Sequence, residues 1–373
     1  MTSPTVLHLT NDAQPEVHLG FGKAFGDLAA DGLLTHVPAA PVALLSRGRD
    51  EALAEIHRVA EQARPELLFV RTPGRFPWTD QDVAGLLRRL GSPTVVLWEG
   101  DPWGGRKAVP ASLAAWLRHA DTVFTVGLGI QARVLGQHTA RPVRYISQTV
   151  PERLWTDTPV PDADDVAYDV MHIGSCFVRF GVLERIDGAR QRSRMVRSLQ
   201  RLPGCRFAVH GNGWRGPGAL GPVPFDDQVR ALRSARISAN WDHFAGRDGY
   251  FSNRLPISLY AGRPHVTTRP LNTPWLPGPE HGLHCVDSPA EVVDRVADLL
   301  RSDPGELHRA GLAGHDWVRT RLTNGNALRY MLGAYLDVPP PPADPWEAIA
   351  AMDPLPAGGG RTGRHELGKG ART

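Results

Sequence analysis

Lysine is nearly missing from this 373-residue chain: only Lys23, Lys107 and Lys369 occur among 42 lysines and arginines, so almost all positive charge is arginine. Two readings stand: the base composition of a GC-rich genome, or a preference for planar forks that grip phosphate. Cysteine is scarce too. Cys176, Cys205 and Cys285 lie far apart with no Cys-x-x-Cys spacing, which argues against a disulfide framework or a structural zinc site and fits a reducing cytoplasm. No apolar run approaches membrane-spanning length, and no basic-then-apolar signal opens the chain. A soluble cytoplasmic protein with no integral membrane segment is expected. Net charge is only +3, acids and bases are interleaved, and no basic stripe alternates with stacking aromatics, so no nucleic-acid partner is implied.

What is present is alternation. Val6–Leu9, Val42–Leu45, Leu67–Val70, Thr94–Trp98, Thr122–Val126 and Val143–Ile146 read as short apolar strands, with helices at 20–30, 50–63 and 80–90 between them. Continuous apolar strands separated by helices predict a parallel sheet covered on both faces. The polar, proline-bearing stretch 156–165 reads as a linker, and the alternation then restarts with strands at 170–173, 205–209, 237–240 and 265–268 and helices at 190–201, 226–235, 291–300 and 304–321. The expected architecture is α/β: two Rossmann-like doubly wound domains facing a cleft. Residues 1–155 form the first, 156–168 the linker and 169–337 the second. Residues 338–373 read as a tail rich in proline and glycine, mostly disordered, with one short helix over 346–352.

The stretch from Tyr250 to Thr268 is the most informative. A polar cluster, Ser252-Asn253-Arg254, opens a short helix, and Gly262-Arg263-Pro264 turns it into a buried strand. A helix start offers unpaired N–H groups and the positive end of a dipole, and Arg254 stands in its first turn, so the segment suits a diphosphate. The alternative partner for Arg254 is a carboxylate such as Asp248. Upstream, Gly174-Ser175 ends a strand, with Arg179 in the following loop. His210-Gly211-Asn212-Gly213-Trp214 makes a second glycine turn, and Val223 lies in a Gly-Pro-Val-Pro segment before the next helix. Each has a plain structural reading: Gly174 as a strand end, Trp214 as packing, Arg179 as half of a surface ion pair.

In this order, from Asp169 to Leu336, the motifs resemble the donor domain of group-1 glycosyltransferases with the GT-B fold, most closely the CgeB-like (spore-maturation-type) branch. The resemblance implies transfer of a sugar from a nucleotide-diphosphate-sugar donor to an acceptor hydroxyl, with a small acceptor favoured and no metal or other cofactor. It places Gly174, Ser175, Arg179, Gly211, Asn212, Trp214, Ser252, Asn253 and Arg254 around the donor, with the backbone near Val223 at the base. One departure matters. Retaining members carry two glutamates separated by seven residues, and here the second position is Ile257 and the first falls near Gly249. Retention is therefore not implied. A sugar-nucleotide epimerase and a non-catalytic nucleotide- or glycan-binding relative remain alternatives.

In the first half, Gly20-Phe21-Gly22 superficially resembles a dinucleotide fingerprint, yet it lies too far from its strand and lacks the acidic partner of NAD. The resemblance places Gly20 and Gly22 at the cleft instead. Asp101, after the Thr94–Trp98 strand, is the first candidate for a general base and His18 the second, with a turn cap before Pro102 the structural reading of Asp101. His281, His284 and Cys285 lack a fourth zinc ligand.

Overall fold

The structure is a computed structural model that describes residues 3–13, 20–162, 165–179 and 183–353. Its first sheet is formed by β1 Thr5–Leu9, β2 Thr35–Ala39, β3 Leu67–Arg71, β4 Thr94–Glu99, β5 Thr122–Thr125 and β6 Val143–Tyr145. All pairs are parallel, in the order β2-β1-β3-β4-β5-β6. The strands are short and apolar because both faces are covered by helices, as β3 shows by burying Leu67 to Val70 without alternation. Local signals set the helix starts. Thr79 and Asp82 form a reciprocal capping box for Asp80–Arg89, and Asp303 caps Pro304–Arg321, whose first residue is a proline.

The second sheet contains β7 Tyr168–Ile173, β10 Phe207–His210, β11 Ala219–Gly221, β12 Ala235–Ala239, β13 His265–Thr268 and β14 Leu283–Val286; β8 Val178–Arg179 and β9 Leu183–Glu184 form a separate small antiparallel ribbon. The order is β11-β10-β7-β12-β13-β14, again all parallel. Each sheet winds outward one way and then the other. The reversal lies between β1 and β3 in the first sheet and between β7 and β12 in the second. Loops diverge at such points and leave a crevice at the carboxyl ends of the strands.

Two expectations are corrected. Val42–Leu45 is not a strand: Pro41 opens a short helix, Pro41–Leu44, followed by a 3-10 turn. A four-residue apolar run does not distinguish helix from buried strand, and the edge position belongs to Thr35–Ala39, where Pro38 is tolerated because one side of an edge strand needs no donor. The second correction concerns the chain after residue 337. Residues 338–353 do not form a loose tail. The helix Ala343–Ala351 returns to the first domain with Trp346 only 2% exposed. The Trp346 indole donates to the Arg321 carbonyl at 3.0 Å and its ring lies 5.4 Å from that of Tyr330. Asp353 then accepts from Arg144 Nε at 2.8 Å and from the Tyr145 amide at 2.6 Å. Residues 354–373 lie outside the described residues.

The halves meet through further hydrogen bonds. Asn324 donates to the Gly20 carbonyl at 2.9 Å and accepts from Thr149 at 2.6 Å. Tyr145 Oη donates to the Gly249 carbonyl at 2.6 Å, and Arg247 donates to the carbonyls of Trp103 and Gly104. No helix among the described residues is long and apolar enough to cross a membrane.

The returning helix gives a direct test. Trp346→Ala should cost about 3–5 kcal/mol in urea unfolding, the usual loss for a large buried aromatic. A loss below about 1 kcal/mol, the range of surface substitutions, would show that this helix is not part of the folded unit.

Candidate active site

The β7/β12 reversal is built from two glycine turns locked together. Gly174, after β7, accepts from the Trp214 indole through its carbonyl and donates its amide to the His210 carbonyl at 2.8 Å. A Cβ on Gly211 would lie 2.3 Å from the Gly174 carbonyl oxygen, so the second turn needs glycine for backbone to meet backbone. The Asn212 amide donates to Ser175 Oγ at 3.2 Å, and the Cys176 amide to the Asn212 carbonyl at 2.8 Å. Trp214 therefore braces the loop, and Asn212 contributes backbone. Val223 is half-buried beside β11, whose Gly221 carbonyl accepts from the Gly211 amide at 2.8 Å. Arg179 lies on β8 opposite Leu183, and its side chain is outside the described part of the structure.

Arg254 opens the helix Arg254–Tyr260 and reaches beneath the first turn, its Nε donating to the Ile173 carbonyl. A Cβ on Gly174 would lie 3.1 Å from Arg254 Nε and Nη2 and from His172 Nε2, so the strand end is glycine where the guanidinium passes. Asp248 does not pair with Arg254; it accepts from Asn272 at 2.7 Å. Ser252 donates its amide to Asp242 at 3.4 Å and keeps a buried Oγ without a partner, while Asn253 is the cap residue before the helix.

Sequence reasoning missed the second cation. Arg192, inside the helix Ala189–Leu199, is 1% exposed and donates through Nε to the Trp241 carbonyl at 2.7 Å, leaving Nη1 unpartnered. Burial pushes it down to about 9, and the positive charge of Arg254 adds to the effect. Arg254 is also lowered by burial, against the pull of Asp242. Asp242, 3% exposed, accepts from Asn240 at 2.8 Å. Burial and the two arginines lower His172 and His243 well below the ordinary imidazole value, so both rings are neutral near pH 7. Tyr250 is raised by burial and by Asp242. The pocket therefore holds two guanidiniums against one carboxylate. Around them His172 Nε2, Asn240 Oδ1, Ser252 Oγ and both His243 nitrogens are buried without partners. Buried polar atoms are normally satisfied. Arg192 Nη1, Ser252 Oγ and one nitrogen of the neutral His243 are free to donate, and beside excess positive charge they make a place for an anion with several acceptors. Asn240 Oδ1 and His172 Nε2, the ring's Nδ1 donating to the Ala239 carbonyl, only accept.

The first domain supplies the facing wall. Asp101 follows β4, is exposed, and pairs with Lys107 at 3.0 Å; its charge contributes to the raised value of Tyr250 across the cleft. Glu99 lies behind it, fully buried, accepting from the Asp101 amide at 2.8 Å. Burial and the neighbouring Asp101 charge push Glu99 up to about 8. Gly20 is explained by packing. A Cβ there would lie 2.3 Å from Arg71 Nε, and Arg71 is held by Asp12 and Asn11 at 3.0 Å each. Gly22 is a buried residue of the helix Gly22–Ala30. His18 lies outside the described residues. His281 pairs with Glu280 at 2.9 Å, and no group of three His, Cys, Asp or Glu among the described residues is arranged to hold a metal ion. Ile257, 1% exposed, joins Ile173 and Leu232 in an apolar patch beside Arg254.

Residues 190–333 match the family model described as Glycosyl transferase-like. No curated protein matches the chain in sequence. Among solved structures, HepE of Anabaena, described with UDP and glucose, is 10% identical with a TM-score of 0.57, covering 89% of this chain and 99% of that one. Sucrose-phosphate synthase of Thermosynechococcus elongatus is 12% identical at 0.57, covering 89% and 98%. A Listeria monocytogenes protein assigned as a UDP-N-acetylglucosamine 2-epimerase is 11% identical at 0.52, covering 89% and 95%.

Glu99 gives a pH test. Its carboxyl loses a proton near 4.5 when unfolded and at about 8 when folded. The folded state therefore binds more protons across that window, and this contribution to stability is lost as pH rises through it. Wild type should lose melting temperature relative to Glu99→Gln between pH 5 and pH 8; parallel profiles would refute the protonated assignment. By its paired parallel sheets and their structural likenesses the chain has the GT-B fold, and residues 190–333 within it match the glycosyl transferase-like family model.

Proposed function

We propose that the chain is a glycosyltransferase that moves a sugar from a nucleoside-diphosphate sugar to an acceptor hydroxyl, in the CgeB-like branch and without a metal ion. The observation that carries this reading is the Arg192–Arg254 pair at the β7/β12 reversal, with more positive charge than Asp242 balances and a ring of unsatisfied polar atoms. A diphosphate brings the missing negative charge and the missing acceptors. Fixed guanidiniums in a dry pocket stabilise charge that develops on the leaving diphosphate and need no reorganisation as the bond breaks. That is the work a divalent cation does in other transferases. The UDP and glucose described with HepE support the nucleoside-diphosphate assignment.

The nucleoside then lies toward Val223, and the transferred sugar faces the wall that carries Asp101. For an inverting transfer Asp101 is the base that takes the acceptor proton; for a retaining one it positions the acceptor. Glu99, kept protonated by burial, holds the Asp101 backbone and adds no second charge beside it. Ile257 offers no hydrogen bond to a ribose or sugar hydroxyl, so donor recognition rests on the phosphates and the backbone. Acceptor-free conversion of a sugar nucleotide is the second reading, favoured by the Listeria likeness.

A thermal-shift series with UDP, GDP, dTDP and CDP tests the proposal. One of them at a hundredfold excess over its Kd should add about 2.7 kcal/mol of stability. Arg254→Ala and Arg192→Met should each abolish that shift, and Asp101→Asn should lower kcat by about a hundredfold or more while leaving it intact. A full shift in both arginine variants would overturn the phosphate assignment. Donor turnover with no acceptor would select the epimerase, and binding without turnover a non-catalytic relative.

A further inference from the structure

The interleaving of acids and bases stops between Asp187 and Asp226, where the sequence has no aspartate or glutamate. Arg192 turns inward to the donor pocket and Arg206 pairs with Asp169 at 2.9 Å. Arg190, Arg194, Arg197 and Arg201 are exposed. Their spacing of four, three and four residues puts them on one face of the helix Ala189–Leu199 and the turn after it. At helical geometry they share an arc of roughly 60° and span roughly 16 Å.

They line a groove with a volume of about 300 Å³, together with Val178, Ser193 and Ser198. Its floor includes Ser193, only 3% exposed, whose Oγ has no hydrogen-bond partner. Arg194, Arg197 and Arg201 make no ion pair with any described carboxylate, whereas exposed arginines such as Arg58, Arg89, Arg118, Arg269 and Arg301 each do. Like charges three and four residues apart destabilise a helix, so this face holds uncompensated repulsion that a multivalent anion relieves.

We propose that this groove binds a linear chain of phosphate groups, one or two per arginine fork, distinct from the diphosphate pocket on the other side of the same helix. Planar forks in a row match phosphates repeating along a chain. The face carries no large exposed apolar side chain of the kind a membrane-surface helix inserts, and no aromatic on which a base stacks. One end lies at the cleft, because Gly188, at the start of the helix, packs against the His243 carbonyl. The groove stands whether or not the transfer reading holds.

The test is fluorescence anisotropy of the full chain with labelled linear polyphosphate about ten units long, at two salt concentrations. Arg194→Gln with Arg197→Gln should weaken binding by about tenfold or more and make its salt dependence shallower, since fewer counterions are released. The melting temperature should not fall, both side chains being exposed and their mutual repulsion being relieved. Arg254→Ala should keep polyphosphate binding. Unchanged affinity in the double variant, or loss in Arg254→Ala instead, would place polyphosphate in the donor pocket and overturn the proposal. Equal competition by orthophosphate at the same phosphate concentration would reduce the groove to a single-anion site. Arginine-dependent pelleting with phosphatidylglycerol vesicles would make it a membrane contact, and equal binding of oligo-dT a nucleic-acid contact.

Discussion

Two guanidiniums confined with one carboxylate in a nearly dry pocket form the constraint on which the second domain depends. Arg192 is buried and Arg254 half-buried, and Asp242 balances only one of them. The surrounding backbone is arranged to tolerate this: the carbonyls of Ile173 and Trp241 each accept from one guanidinium. A buried cation held by carbonyl dipoles is weakly compensated, and under the proposed function a bound anion completes what the fold leaves uncompensated. The neutral histidines fit the same logic, since any further positive charge there would be prohibitive.

The glycine turns follow from that arrangement. Gly174 leaves passage for Arg254, Gly211 lets one turn rest on the other, and Trp214 ties them with its indole. The site's rigidity thus comes from contacts between turns that are 36 or more residues apart in sequence. The opposing domain is held by equally non-local bonds, such as Arg247 to the Trp103 and Gly104 carbonyls and Tyr145 to the Gly249 carbonyl. Asp101 stands across the cleft because β4 ends there, and Glu99 can sit behind it only as a neutral acid.

One helix, Ala189–Leu199, serves both faces of this design. Its inward turn places Arg192 in the pocket; its outward stripe carries Arg190, Arg194, Arg197 and Arg201. The alternation between buried and exposed arginine is set by helical period alone. Residue 192 lies about 170° from the mean direction of 190, 194, 197 and 201 at 3.6 residues per turn.

The apolar strands, the intervening helices and the order of the glycine turns could be read directly, because each depends on local periodicity or on a residue type with special backbone freedom. Arg254 was visible because it sits inside a motif. Arg192 was not: nothing local separates it from Arg190 or Arg194, and only the packing of its helix, with the Trp241 carbonyl waiting beneath, sends it inward. Val42–Leu45 misled for a related reason, since four apolar residues suit a strand or a helix until a neighbour claims the sheet edge. The return of residues 338–353 was hidden by the prolines, whose composition resembles that of a tail; Trp346 joins the core only because Arg321 and Tyr330 wait for it. By itself, then, the sequence determined two wound sheets, the turns between them and the place of Arg254 in its motif, all features of local order. The tertiary structure decided which arginines lie in a dry pocket, which carboxyl stays protonated and where the chain ends its path, because burial and charge are properties of what surrounds a residue.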